Sequence, residues 1–185
     1  MGNKRWRGLT PQETAVARRV FGSSMDYGRV RIYRGIPLLP ALNVAVAPCN
    51  HIYFPRNNCP ADFTLAAPNY QVWLIHELTH VWQHQQGYRP WLGGLLLAVK
   101  GGYHRRSAYV YPPLQTIRRF AELNMEQQAD LIAHYYAARY LEWPHYRTQL
   151  PMFQTALQAF LDNPADKALL PKYRNRLGWF DWHKG

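Results

Sequence analysis

Four stretches of the 185-residue chain repeat apolar residues at helical spacing. In LTPQETAVARRVFG, Thr10 is placed to cap a helix, Pro11 suits its first position, Glu13 completes a capping box and Gly22 supplies the stop. NYQVWLIHELTHVWQHQQG predicts a buried helix over 70–86, with Asn69 as N-cap and Gly87 as C-cap. NMEQQADLIAHYYAARYLE starts a further helix at Asn124, with Leu131, Ile132, Tyr135 and Tyr136 on its apolar side. LPMFQTALQAFLDN puts Phe153, Leu157 and Phe160 on one side of the last helix. Between the helices, GRVRIYRG alternates Val30 and Ile32 with Arg29 and Arg31, the period of a half-buried strand. NVAVAP and HIYFP are shorter strand candidates broken by Pro48 and Pro55. Residues 88–116 have the weakest periodicity and read as a long loop or hairpin insert. The expected fold is α+β: a mostly helical single domain over 1–185 with a small antiparallel sheet, the helix bearing HELTH packed on the helix that follows Asn124. The aromatic tail, with Trp179, Phe180 and Trp182, is expected to pack rather than stay in water.

Composition narrows the partners. An apolar content of 48% with seven tryptophans supports a packed core. The net charge of +11 favours polyanions such as nucleic acid, anionic lipid or cell wall, or else simply a well-solvated basic surface. No zinc-finger, helix-turn-helix or RNP pattern supports the nucleic-acid option. No run reaches the roughly 20 apolar residues of a membrane span. The segment MGNKRWRGLT is basic without the apolar stretch of a signal peptide. The expectation is synthesis in the cytoplasm without a cleavable signal, with export by a machine that needs none left open. Cys49 and Cys59 bracket nine residues, compatible with a disulfide-closed loop or with two free thiols.

The chemistry concentrates in HELTH. Polar side chains inside an otherwise apolar helix need a partner, because burying them unsatisfied is costly. His76 and His80 stand four residues apart, so both imidazoles share one helical face, roughly 5–6 Å apart at Cβ. Such a pair can grip one metal ion. Glu77 is rotated about 100° from His76 and can stand beside the ion as a general base. The plain alternative is a pair of hydrogen-bonded core histidines with a surface glutamate.

A catalytic zinc site takes three protein ligands and keeps one position open. His84 is two turns from His76, about 12 Å along the axis at 1.5 Å per residue, and reads as a helix-end residue placed at the negative pole. Gln83 and Gln86 occupy the positions where one extension of the motif has glycine and histidine, which excludes that class. Glu126 is the preferred third ligand, because Asp130, one turn on, can accept the second ring N–H of a ligating histidine. Glu122 is the rival, and two exposed surface carboxylates the plain alternative. Tyr103, His104, Tyr109 and Tyr111 are candidate donors to a developing oxyanion, with His104 and Tyr109 retained and simple packing the other reading. Arg105 and Arg106 could hold an anion or form a solvated turn.

HELTH followed by E-x-x-A-D resembles the gluzincin metallopeptidases. The resemblance implies zinc held by His76, His80 and Glu126, with Glu77 as base and Asp130 supporting a zinc histidine. LTPQETAVARRVFGSSMDYGRVRIYRG, IYFP and LIHELTHVWQHQQG are together similar, over about residues 9–140, to the HExxH domain associated with contractile injection systems and VgrG-related proteins. That implies a zinc peptidase acting on a peptide, a protein or a peptidoglycan peptide, as a secretion-system effector or cell-wall hydrolase. A secretion apparatus or an immunity protein would then be its partner. The alternative is a catalytically inactive module of such an apparatus, in which metal only holds the fold.

Overall fold

The computed structural model describes residues 6–36, 44–90 and 108–172, together with the backbone of 174–175 and 178–179. The chain opens with a short strand β1 (Trp6–Arg7) and helix α1 (Pro11–Phe21). The Thr10–Glu13 capping box forms, and Gly22 leaves the helix at φ +55°. Ala17, Val20 and Phe21 of α1 are buried.

Strands β2 (Arg31–Arg34) and β3 (His51–Phe54) complete a three-stranded sheet in the order β1-β2-β3. The β1–β2 pair is antiparallel, but β2 and β3 run parallel, with Ile32 opposite Ile52. The sheet is therefore mixed where an antiparallel one was expected. A parallel pair needs a crossover of a dozen or more residues, and residues 35–50 are long enough to provide it. NVAVAP contributes one antiparallel bridge, Val46 to Tyr53, rather than a strand. Val30, Ile32, Ile52 and Phe54 point into the core.

Helix α2 (Pro68–Gln85) carries HELTH, and α3 (Met125–Arg139) packs along it. α2 starts two residues earlier than expected. Ala67, not Asn69, is its N-cap, and no side chain caps it. Pro68 suits the first position, since its φ is preset and it has no N–H to satisfy, and the Tyr70 N–H donates to the Ala67 carbonyl at 2.9 Å. The helix ends at Gln85 with Gln86 as its C-cap, one residue before the expected Gly87, which follows at φ +108°. α3 opens on Asn124, whose side chain accepts from the backbone of Glu126 and Gln127. A single-turn helix α4 (Pro144–Arg147) leads to α5 (Leu150–Asp162), which buries Phe153, Leu157 and Phe160. Phe160 meets Trp82 edge-on at 5.2 Å, and Trp82 donates its indole N–H to Pro164 O at 2.7 Å. This locks the back of α2 to the C-terminal helix.

Of the 88–116 segment, residues 108–116 run through a turn to a 3-10 turn at Leu114–Thr116, while 91–107 lie outside the described residues. In the tail, β4 (Arg174–Asn175) pairs antiparallel with β5 (Gly178–Trp179). The packing expected for Trp179, Phe180 and Trp182 falls outside the described side chains. Cys49 and Cys59 are free thiols. No helix among the described residues is long and apolar enough to cross a membrane.

Candidate metal centre

Helical spacing brings His76 and His80 to one face of α2, and that face meets the first turn of α3. Glu126 sits in this first turn, where the helix dipole favours a carboxylate. His76 Nε2, His80 Nε2 and Glu126 Oε2 converge: the two nitrogens are 3.3 Å apart, and they lie 3.3 and 3.2 Å from the carboxylate oxygen. His80, Glu126 and Glu77 are buried.

Protons explain what this cluster lacks. His76 Nδ1 lies 2.8 Å from Asp130 Oδ1, and an ionised carboxylate can only accept, so Nδ1 carries the hydrogen. His80 Nδ1 lies 3.0 Å from Gln83 Oε1 and likewise donates. In neutral imidazoles both Nε2 atoms then hold lone pairs facing the Glu126 carboxylate. Three such atoms at this spacing repel one another unless a proton or a metal cation sits among them. Three corners of a tetrahedron around an ion at about 2.0 Å are about 3.3 Å apart, which matches the spacing found. The trio could hold a metal ion, and its mix of imidazole and carboxylate suits a borderline cation such as zinc.

Without metal, protons must serve instead. Burial disfavours imidazolium, but hydrogen bonds to Asp130 and Glu126 outweigh it and hold the His76 pKa well above its ordinary value. His80 is raised too, burial again being overcome by the Glu126 carboxylate. Glu126 moves the opposite way: despite its burial, His80 and His76 hold it far below the usual carboxylate range. Glu77 lies outside the trio. Burial raises its pKa, against the pull of the two histidines.

Glu77 and His76 line a cavity of about 700 Å³ with Trp73, Tyr109, Asp130 and His134. The structure thus brings together His76, Glu77, His80, Glu126 and Asp130, and sets Tyr109 beside them with its ring 6.1 Å from that of His76. His104, Tyr103, Arg105 and Arg106 lie outside the described residues. Glu122 is exposed and pairs with Arg119 at 2.6 Å, which removes it as a ligand. His84 is at the end of α2, half-buried and outside the trio, its pKa lowered by burial and by Arg29.

Two residues escaped the sequence reading. Gln83 holds His80, although a glutamine among glutamines carries no motif. His134, one turn beyond Asp130, shares a hydrogen bond between Nδ1 and the Tyr111 hydroxyl at 2.9 Å and stacks on Tyr146 at 4.4 Å. Burial lowers its pKa, which favours the neutral ring. Its helical register with Asp130 was the available signal.

Fold and site define an α+β domain whose two central helices enclose a His-His-Glu pocket fit for one cation. No family model matches the chain. Over 134 residues the chain is 36% identical to the type VI secretion system spike protein VgrG2b of Pseudomonas aeruginosa, an alignment covering 70% of this chain and 13% of that protein. The solved effector domain of Pseudomonas aeruginosa VgrG2b superposes with a TM-score of 0.61 at 31% identity, covering 84% of this chain and 82% of the domain. The chain belongs to the family of the VgrG2b effector domain, and matches only a small part of the whole spike protein.

Proposed function

We propose that the chain is a zinc-dependent hydrolase of peptide bonds, folded as one zincin-like domain over residues 1–185 with 88–116 as an insert, and delivered as an effector by a type VI secretion apparatus. The observation that carries this reading is the trio of acceptor atoms 3.2–3.3 Å apart, whose outer ring nitrogens are already committed to Asp130 and Gln83. His76, His80 and Glu126 would hold the ion. Bound there, zinc would supply Lewis acidity, bringing the pKa of water towards about 7 and polarising a substrate carbonyl.

The remaining work falls to the chain itself. Glu77 stands at the cavity wall with a pKa raised by burial. It takes a proton from the attacking water and returns it to the leaving amine. A raised pKa makes this carboxylate a stronger base than an exposed one. Asp130 fixes the His76 tautomer. Tyr109 and His134 line the same cavity and are the polar side chains we assign to contact with substrate oxygens. Val72, Trp73 and Ala133 give the cavity an apolar side for a substrate side chain. Peptides, proteins and peptidoglycan stem peptides are the substrate classes, and an immunity protein is the natural counterpart of such an effector.

Glu77→Gln tests the reading. Zinc content by elemental analysis should stay at the wild-type level, while hydrolysis of denatured protein and of peptidoglycan peptides should fall at least 100-fold, the lower range for loss of an acid–base group. Equal activity of variant and wild type in those assays would replace the hydrolase with a metal-stabilised structural module.

A further inference from the structure

His76 takes its orientation from a carboxylate; His80 takes it from an amide, and that amide is not free to choose its direction. The buried Gln128 donates from Nε2 to Phe120 O at 3.0 Å and to Leu169 O at 2.8 Å. Backbone carbonyls can only accept, so the amide NH2 of Gln128 must face them and its Oε1 must face the other way. That Oε1 accepts from Gln83 Nε2 at 3.0 Å, and Gln83 Nε2 also donates to Met125 O at 3.1 Å. The direction of Gln83 is thereby fixed, with Oε1 towards His80 Nδ1 at 3.0 Å. Neither glutamine is exposed to solvent at all.

We propose that Gln83 and Gln128 form a one-way amide relay that sets the tautomer of His80 from two backbone carbonyls, making Gln83 a positioning residue for the metal centre. Each amide in the relay has its direction dictated by the preceding acceptor. The end of the sequence is an N–H at His80 Nδ1 and a lone pair at Nε2, the state a metal ligand requires. Because Gln83 is neutral, the relay does this without adding a third buried carboxylate beside Glu126 and Glu77. It also ties the centre to the 3-10 turn at Lys167–Leu169, whose last carbonyl is one of the two anchors.

The inference rests on the metal reading of the trio, so wild-type protein is measured alongside every variant. Zinc affinity is read by competition with a chromogenic chelator, geometry by the visible spectrum of the cobalt-substituted protein, and fold integrity by the melting temperature of the metal-free form. Gln83→Leu should weaken zinc binding about 10- to 100-fold, as losses of hydrogen bonds to a ligating histidine do, and should change the cobalt bands. Gln83→Glu keeps an acceptor for His80 but turns an oxygen towards Met125 O and Gln128 Oε1. It should recover most of the zinc affinity while lowering the metal-free melting temperature. That split between binding and stability is one a purely structural glutamine would not produce. Should Gln83→Leu fail to fold, Gln128→Met, one amide further from the ion, should show a smaller loss in the same direction. Wild-type affinity in the Gln83→Leu and Gln128→Met proteins overturns the relay. Wild-type protein that binds no zinc overturns instead the metal reading beneath it.

Discussion

At the scale of single residues, protons and a metal ion would compete for the same atoms of the centre. In the metal-free protein, burial would depress both histidines, yet Asp130 and Glu126 raise them above the ordinary 6.5. A histidine raised in the folded state adds stability that is fully present below its unfolded pKa and is lost as pH rises through its folded value. The contribution of His76 and His80 to the stability of the metal-free protein should therefore be larger at pH 6 than at pH 8. Zinc needs both Nε2 lone pairs, so its binding releases protons and tightens with rising pH. The zinc-loaded protein should show the weaker, or reversed, dependence over the same window. Glu126 leaves the comparison unaffected, because its lowered pKa places its own loss at far more acid pH. Melting curves at both pH values, with and without chelator, measure this. Asp130→Asn should flatten the metal-free dependence, since the first of the interactions raising His76 is the Asp130 hydrogen bond. Parallel pH slopes for loaded and metal-free protein would mean that no histidine gives up a proton to the ion.

At the scale of elements, what the sequence disclosed depended on how local each signal was. α1 and α3 announce themselves through Thr10–Glu13 and Asn124, because a capping box is a contact between residues three apart. HELTH was legible for the same reason, as one helical turn aligns His76 with His80. Glu126 and Asp130 followed from that turn length on a second helix. The parallel β2–β3 pair was not legible: strands of four residues take their direction from where the crossover returns, and no local residue records that. Gln83 was hidden because amides adopt whatever direction their distant partners impose. Glu13 illustrates both kinds at once. Its capping role is local, yet its carboxylate also accepts from Phe63 N at 2.9 Å and from Arg7 at 2.7 and 2.8 Å, stitching β1 and α1 to the loop before α2. Removing Arg7 leaves this fully buried carboxylate without its counter-charge. Arg7→Ala should cost about 3 kcal/mol, the low end for breaking a buried pair, because the Arg7 side chain is itself 29% exposed. Urea denaturation of the metal-free protein measures it, and a loss below about 1 kcal/mol would class the pair with surface ion pairs.

At the scale of the whole molecule, the +11 charge and the candidate centre are separate matters. Several arginines lie over aromatic rings: Arg18 on Tyr27, Arg19 and Arg139 on Tyr140, Arg31 on Trp6. Among the described residues, the cavity lining holds Glu77 and Asp130 and neither lysine nor arginine. Attraction of the surface to polyanions therefore says little about what enters the cavity. An ion held by His76, His80 and Glu126 would act mainly on the fold, because these residues come from α2 and α3, the two helices around which the described core is built. A ligand that binds only the folded state stabilises it by about 4 kcal/mol at a thousand times its Kd. For a domain of this size each kcal/mol moves the melting temperature by about 2–4 °C, so saturating zinc should raise it by about 10 °C over chelator-treated protein. His80→Ala should remove most of that rise, whereas Arg7→Ala should lower both melting temperatures and leave the difference between them intact. A zinc-induced rise that survives loss of His80 would place the stabilising ion somewhere other than between these helices.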